Sequence, residues 1–291
     1  MRTRRKSRLL PLLLTLALLG LALVVVIRLH KPAEPEDPHA GQVYVYDGFD
    51  WVWMTPLEGV EVNPIAKQEF VNEGTTPVYL GDAFTTRVGI DVSEHQWDID
   101  WQQAAQVLDF ASIRLGYRGY TEGGLFEDPW YRRNMEGALA AGLDVGVYFF
   151  SQATTVAEAI EEAEYVLERV KDYRLEMPIV FDWEKIEDEN ARTANLDSAV
   201  ITDCAIAFCE TVKKAGYTPC IYFNRNMGYY GFDLSRLTDY LFWFSLPEMG
   251  YPSFYYAVDL WQYSFTEEIP GVSVPADMNM MFIPVAAEES D

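Results

Sequence analysis

Histidine and cysteine are scarce in this chain of 291 residues, with three of each. Of the histidines, only His95 falls in the part of the sequence that has the pattern of a globular domain. A zinc site built from several histidines needs more of them than this region supplies. A Ser-His-Asp triad is poorly supplied for the same reason. No glycine-rich phosphate loop follows any predicted strand, which argues against a nucleotide site.

Basic residues are also few, with 22 Lys and Arg against 45 Asp and Glu, and the formal net charge is −23. Seven of the basic residues lie in the first 31 residues, which contain no acid, so the rest of the chain has 15 basic against 45 acidic residues. Nucleic acid requires a basic surface, so it is excluded as a partner. The acidic surface also disfavours adsorption of the globular part to anionic lipid.

The three cysteines are interpreted as buried free thiols. Cys204 and Cys209 lie five residues apart on a predicted helix and do not share a face well. A disulfide from this helix to Cys220 is the alternative.

The N-terminus has a basic flank followed by Leu9–Ile27, which contains no charged residue. Nineteen apolar residues are about enough to cross a bilayer, and a basic flank stays on the cytoplasmic side. Residues 1–30 are therefore predicted to form a single-pass signal anchor, with the remaining chain outside the cytoplasmic membrane. A cleaved signal peptide, and hence secretion, is the alternative.

Composition divides the rest of the chain. Residues 31–41 are rich in proline and acid and are predicted to be an extended linker. Residues 42–86 contain short strand patterns broken by Pro and Gly, which predicts a small β-rich appendage. Residues 87–285 form the main domain, and 286–291 are an acidic tail.

Strand and helix patterns alternate regularly from Arg87 onward, and the strands are continuously apolar. This pattern predicts a parallel sheet covered on both faces. Eight candidate strands favour a closed, TIM-like (β/α) barrel of the α/β class. The last three units are too short for full crossover helices, so the barrel is expected to be irregular there. An open doubly wound sheet is the alternative.

The most informative stretch is Met177–Glu184, an apolar run that ends in two carboxylates. Side chains alternate along a strand, so Asp182 and Glu184 are predicted to point to one side and Trp183 to the other. Two carboxylates this close repel each other, and burial raises the pKa of at least one. A strand that simply runs out into solvent would also end in acids, so this motif needs support from elsewhere.

Support comes from the ends of other predicted strands. Strand one ends in Asp91 and strand eight in Asp277, and active sites of such barrels lie at the C-terminal ends of the strands. We therefore expect the four acids to converge on one mouth. The residues expected to line it, as the substrate-binding set, are Tyr148, Asn224, Trp261 and Gln262.

These motifs, taken in order, resemble those of glycoside hydrolase family 25, the lysozymes or N-acetylmuramidases that cut peptidoglycan. The matching segments are Asp91-Val92-Ser93-x-x-Gln96, Phe181-Asp182-Trp183-Glu184, Trp261-Gln262-Tyr263 and Asp277-Met278-Asn279. The resemblance extends over about Arg87 to Ile283. It implies an irregular (β/α) barrel that cleaves the β-1,4 bond from N-acetylmuramic acid to N-acetylglucosamine with retention.

By this resemblance, Glu184 is the general acid and then the general base. The nucleophile is either a carboxylate, Asp182 or Asp277, or the substrate's own 2-acetamido group, which Asp182 would then orient and polarise. Asp91 and Asp277 position the sugar and tune the two central acids. No metal or organic cofactor is implied, and peptidoglycan glycan strands are the implied partner. Family members often carry Trp-x-Ala on strand six, where this chain has Trp243-Phe244-Ser245, so the sugar-contacting surface there departs from the pattern.

Two other functions are compatible with the sequence. The domain can be an inactive wall-binding module on a membrane anchor, although sugar binding alone does not require all four acids. It can also be another hexosaminidase, such as a chitinase-like enzyme. The oligomeric state is not indicated.

Overall fold

The computed structural model describes residues 17, 19–21, 37–73, 76–247 and 249–286. The chain divides into two compact units, one of residues 1–43 with 53–55 and the other of residues 44–52 with 56–291. In the first unit, the His39 ring stacks on Trp53 with ring centroids 4.1 Å apart. The second unit contains the barrel and the clefts described below.

Short strands precede the main sheet, and helices alternate with strands in its first two thirds. The strands are β1 (Val43–Tyr46), β2 (Trp51–Met54), β3 (Phe70–Glu73), β4 (Thr76–Tyr79), β5 (Phe84–Val92), β6 (Phe110–Arg118), β7 (Leu125–Glu127), β8 (Asp144–Ser151), β9 (Ile179–Trp183), β10 (Pro219–Asn224), β11 (Leu241–Ser245), β12 (Leu260–Glu267) and β13 (Ala276–Pro284). Among the described residues from 37 onward, the α-helices are α1 (Trp101–Ala104), α2 (Tyr131–Ala140), α3 (Val156–Val170) and α4 (Ser198–Lys214).

Eight strands close into a barrel within the part of the chain that the structure describes. Their order is β5-β13-β12-β11-β10-β9-β8-β6, and a further pairing of β5 with β6 completes the circle. Most neighbours run parallel, but β13 is antiparallel to both β12 and β5. Strand β7 adds to the end of β6 as an antiparallel extension.

The period of two along each strand separates two apolar layers. In β9, Val180 lies in the small cluster inside the barrel, whereas Phe181 and Trp183 lie in the large cluster outside it. The inner cluster also contains Phe110 and Trp243. Helices α3 and α4 contribute Ala163, Phe208 and other buried residues to the outer cluster. The helices therefore stabilise the barrel from outside and leave its upper interior to polar side chains.

The predicted fold class, a TIM-like (β/α) barrel preceded by a transmembrane helix, is corrected by the structure. The barrel is mixed rather than parallel, and the described residues form few α-helices, one of which has a single turn. Only residues 268–275 join β12 to β13. A link this short suits an antiparallel pair, because a parallel connection needs a dozen residues or more. Between β11 and β12 the chain is longer, but Pro247 and Pro252 interrupt it, and the described residues of this link form no helix.

The predicted transmembrane segment, Leu9–Ile27, lies almost entirely outside the described residues. Within the described ranges, no helix has the length and apolar character needed to cross a bilayer. The expected location of the domain rests on the sequence alone and stays a prediction.

The cysteines agree with their interpretation as buried thiols. Cys204 and Cys209 on α4 and Cys220 on β10 are all buried and free. Burial raises the pKa of the Cys204 thiol to about 12. Protonated thiols of this kind act as small apolar side chains in the core.

Strands β5 and β6 make a tight contact at the base of the barrel. Gly89 pairs with Phe110, and a Cβ at Gly89 would lie 2.4 Å from two atoms of the Phe110 ring. We expect Gly89→Ala to lower the free energy of unfolding by about 1–3 kcal/mol, because overpacking displaces the ring. Urea unfolding of Gly89→Ala, Phe110→Leu and the double variant measures the coupling. The smaller Leu should recover part of the loss, and strictly additive effects would contradict the contact.

Candidate active site

The four acids predicted from strand ends line one cleft at the mouth of the barrel. This acid cleft has a volume of about 220 Å³ and includes Asp91, Asp182, Glu184 and Asp277. Asp91 lies near the end of β5, and Asp182 lies near the end of β9 with Glu184 directly after it. The parallel direction of β5 and β9 brings these strand ends to the same rim.

Asp277 reaches this rim in a different way from the one predicted. It lies at the start of β13, not at its end, because β13 runs opposite to the other barrel strands. In the antiparallel register, Asp277 is paired with Asp91. Like charges directly opposite each other are destabilising in such pairs. The cleft therefore concentrates negative charge that the surrounding residues have to offset.

Asp91 is held by two side-chain amides. Its Oδ2 accepts hydrogen bonds from Gln262 Nε2 at 2.9 Å and from Asn279 Nδ2 at 2.7 Å. The amide oxygens are engaged in turn: Tyr222 donates its hydroxyl to Gln262 Oε1 at 2.7 Å, and Trp243 donates Nε1–H to Asn279 Oδ1 at 2.8 Å. Each amide orientation is thereby fixed, and both present donors to Asp91.

Two kinds of influence on the pKa of Asp91 oppose each other. Burial and then the charge of Asp277 raise it well above its usual value, while the hydrogen bonds from Asn279 and Gln262 lower it. The net direction is upward. The two amides therefore fix the position of the Asp91 carboxyl group, whereas its protonation state depends on the balance of these opposing effects.

Asp182 has a free oxygen. The residue is only 5% exposed, and among the described residues its buried Oδ1 has no hydrogen-bond partner. Burial raises its pKa well above the usual value, and the charges of Glu184 and Asp91 add to this, whereas Arg114 lowers it. A buried polar atom without a partner is costly. This oxygen is therefore available to a donor brought in by a ligand.

Glu184 is less buried than Asp182, and burial raises its pKa. Its backbone oxygen accepts a hydrogen bond from Gln152 Nε2 at 2.9 Å. The side-chain oxygen of Gln152 accepts from Thr193 Oγ1 at 2.6 Å. Gln152 and Thr193 are both buried, so the chain at Glu184 is anchored where it leaves β9.

Asp277 completes the set, and its pKa is raised to about 6 by burial and by the charge of Glu184. Acids with raised pKa values that face one another cannot all be ionised at neutral pH without a large cost. The cleft is therefore able to hold protonated and ionised carboxyl groups side by side. That combination suits acid–base chemistry on a ligand with a poor leaving group.

The residues predicted from the sequence to bind substrate do not all lie in the acid cleft. Tyr148 and Gln262 line the acid cleft. Asn224 lines a neighbouring cleft instead, which also contains Glu184. Trp261 lines neither cleft: it is fully buried in the outer layer and donates Nε1–H to Leu246 O at 3.0 Å.

Several lining residues of the acid cleft were not in the predicted set. They are Ser93, His95, Gln96, Arg114, Phe150, Tyr222 and Trp243. Strand alternation could have identified two of them, because Tyr222 lies two residues before Asn224 and Trp243 two before Ser245. Arg114 has no such signal, because its ion pairs with Asp128 at 2.7 Å and Glu94 at 2.9 Å depend on the fold.

Metal ligation is not indicated by the geometry. Within the ranges that the structure describes, no group of three or more His, Cys, Asp or Glu side chains is arranged to hold a metal ion.

Comparison with known proteins supplies a family match. The family model described as "Glycosyl hydrolases family 25" matches residues 90–272. An uncharacterized protein, YegX, of Escherichia coli (strain K12) is 26% identical over 195 residues, which cover 66% of this chain and 68% of that protein.

Two solved structures are similar in fold. The modular autolysin LytC from Streptococcus pneumoniae, in complex with a synthetic peptidoglycan ligand, gives a TM-score of 0.59 at 25% identity, over 67% of this chain and 46% of LytC. This chain therefore spans less than half of LytC. The bacterial lysozyme from Streptomyces coelicolor gives a TM-score of 0.54 at 23% identity, over 69% of this chain and 94% of that chain.

The raised pKa of Asp277 predicts how stability depends on pH. The unfolded carboxyl ionises near pH 4, whereas the folded one ionises at about 6. The folded state therefore binds more protons between these values, and this group's contribution to stability falls as pH rises from about 4 to about 6. We expect Asp277→Asn to increase the free energy of unfolding at pH 7.5, by at most about 3 kcal/mol, and to have little effect at pH 3.5. Urea unfolding at both pH values measures this, and equal effects at both would contradict it.

Proposed function

This chain belongs to glycosyl hydrolases family 25, and from that premise we propose that it cleaves peptidoglycan. The proposed bond is the β-1,4 link from N-acetylmuramic acid to N-acetylglucosamine, and the proposed outcome is retention of configuration. The observation that carries this proposal is the acid cleft, where Asp182 and Glu184 share one strand face and both have raised pKa values. Glycosidic cleavage uses one protonated and one ionised carboxyl group.

In this proposal, Glu184 is the general acid. It is the more accessible of the two carboxyl groups at the end of β9, so it can reach a glycosidic oxygen that enters the cleft. Its raised pKa keeps it protonated closer to neutral pH. After the leaving sugar departs, the resulting carboxylate removes a proton from the attacking water.

Asp182 is proposed to hold the 2-acetamido group of the sugar whose anomeric carbon forms the scissile bond. Its unpartnered Oδ1 is a buried acceptor, and an acetamido N–H is a donor of suitable size. When Glu184 carries the proton, Asp182 can carry the negative charge, because the two groups repel each other only when both are ionised. The acetamido oxygen then attacks the anomeric carbon, and the charge of Asp182 stabilises the oxazolinium that forms.

Asp91 and Asp277 are proposed to position the sugar and to tune the other two acids. Asp91 raises the pKa of Asp182 by its charge, and its own orientation is fixed by Gln262 and Asn279. Tyr148 is proposed to contact the substrate from β8, since it lines the same cleft.

Replacing the proposed acid tests the function directly. We expect Glu184→Gln to remain folded and to lose about 10²-fold or more of its activity, the usual scale of general acid catalysis. Digests of purified peptidoglycan, analysed by mass spectrometry, measure the activity and identify the reducing-end sugar. Glu189→Gln, an exposed change in the loop after β9, is the matched control and should retain activity.

The same digests distinguish the competing functions. A reducing-end muramic acid supports the proposal, whereas a reducing-end glucosamine assigns a different bond. Wild-type protein that binds peptidoglycan but releases nothing would indicate a binding module. Digestion of chitin without digestion of peptidoglycan would favour a chitinase-like enzyme.

The role of Asp182 is tested separately. We expect Asp182→Asn to lower kcat by about 10²-fold or more with little change in KM, because the lost charge acts mainly in the transition state. A thiazoline analogue of the cyclised sugar should inhibit the wild-type enzyme by resembling the bound intermediate. A covalent glycosyl ester on Asp182 or Asp277, trapped with a fluorinated substrate, would instead make that residue the nucleophile.

A further inference from the structure

The β1–β2 hairpin brings its turn, Asp47–Asp50, to the mouth of the barrel. The Asp47 carboxylate accepts hydrogen bonds from the backbone N–H groups of Phe49 at 2.8 Å and Asp50 at 2.9 Å. Its other oxygen accepts from the Tyr230 hydroxyl at 2.7 Å. Asp47 is buried, so the turn is both internally ordered and attached to the segment that follows β10.

This turn forms one wall of a second cleft, which we call the hairpin cleft. It has a volume of about 490 Å³, and its lining includes Phe49, Glu184, Asn224 and Arg225. Glu184 and Tyr222 line both the hairpin cleft and the acid cleft. The proposed general acid therefore lies where the two clefts adjoin.

Phe49 presents an unusually exposed ring to this cleft. Its side chain is 74% exposed, although its backbone is held by Asp47. An exposed aromatic ring on an ordered turn contributes little to the core, and it offers an apolar face on which a sugar ring can stack.

Arg225 supplies a positive charge in the same cleft. It is 92% buried, since its exposed fraction is 8%, and among the described residues it forms no ion pair with a carboxylate. Its Nη2 donates to Ser253 O at 2.7 Å, its guanidinium lies 5.3 Å from the Tyr46 ring centroid, and its buried Nε has no partner among the described residues. The charge of Asp47 also acts on Arg225, but the Asp47 oxygens accept hydrogen bonds from the turn and from Tyr230 instead of from the guanidinium.

A buried guanidinium without a carboxylate partner is noteworthy in a chain of net charge −23. Burying an arginine that has no hydrogen-bonded counter-ion costs free energy, and a ligand that supplies one offsets this cost. An incoming carboxylate would supply that counter-ion, and arginine binds carboxylates through two parallel hydrogen bonds. The acidic surface would repel an anionic ligand elsewhere, so the hairpin cleft is a favourable place for the charged part of such a ligand.

We propose that the hairpin cleft is a glycan subsite in which a sugar ring stacks on Phe49 and a carboxylate of the attached peptide binds Arg225. The inference rests on the proposed function, because it takes peptide-bearing peptidoglycan as the ligand. It extends that function by making the chain selective for strands with acidic peptides over neutral N-acetylglucosamine polymers. Phe49 lies outside residues 90–272 and Arg225 lies within them, so the subsite combines a segment that the family match does not include with one that it does.

Binding to the full chain in a Glu184→Gln background tests the subsite without turnover. The probe is a purified tetrasaccharide of peptidoglycan with its peptides attached, and titration calorimetry gives its Kd. We expect Phe49→Ala to weaken binding by about 3- to 10-fold, the scale of one aromatic contact. Tyr44→Ala is the matched control, since it removes an exposed ring from the same hairpin that does not line the cleft.

The charge is tested with two substitutions of similar length at Arg225. Arg225→Met should weaken binding by about 10-fold or more, and Arg225→Lys should recover part of this loss, because Lys keeps the charge but not the bidentate geometry. Thermal unfolding of both variants checks that the hairpin remains attached.

The outcomes separate the subsite from the proposed function. Loss of binding in Phe49→Ala, with Lys better than Met at position 225, supports the subsite. Unchanged binding in Phe49→Ala, or equal binding of the Lys and Met variants, overturns it even if the wild-type enzyme cleaves peptidoglycan. If the wild-type enzyme releases no fragments from peptidoglycan, the proposed function fails independently of these binding constants.

Discussion

The burial of several carboxyl groups in one cleft is the constraint on which the rest of this structure depends. Asp91 and Asp277 stand opposite each other on antiparallel strands, and Asp182 and Glu184 follow one face of β9. At neutral pH, both desolvation and mutual repulsion oppose this arrangement. The barrel has to hold it by interactions elsewhere, and the pKa values of the acids rise because it does.

Two features offset this cost. The amides of Gln262 and Asn279 give Asp91 two hydrogen bonds and are themselves fixed by Tyr222 and Trp243. Outside the barrel, the strands bury large apolar side chains against α3 and α4, which supplies most of the favourable free energy of folding. Because side chains alternate along each strand, the outward face packs against the helices and stabilises the fold, whereas the inward face carries the acids of the cleft.

The hairpin adds a surface that the barrel alone does not have. The acid cleft is small, at about 220 Å³, and a glycan strand is a long polymer that must extend beyond it. The turn carrying Phe49 and the buried Arg225 continue the surface on the far side of Glu184. In the function proposed above, this short segment before the barrel selects which polymers fit, and the acids act on the bond.

Local periodicity was enough to predict several features of this protein. The apolar run of β9 and the shared side of Asp182 and Glu184 both follow from spacings of a few residues. The same alternation should have separated Trp261 from Gln262, since adjacent strand residues face opposite ways. The structure places Gln262 in the cleft and Trp261 in the outer core.

The direction of β13 and the placement of Phe49 and Glu184 in one cleft were decided only by the tertiary structure. Barrel closure and the short β12–β13 link determine that Asp277 begins its strand instead of ending it. The hairpin cleft joins segments far apart in the chain, through contacts such as Asp47 with Tyr230. The sequence by itself determined which residues alternate and which carry charge, because those properties are local. Which distant residues share a cleft depends on the packing of the whole chain, and no spacing in the sequence encodes that.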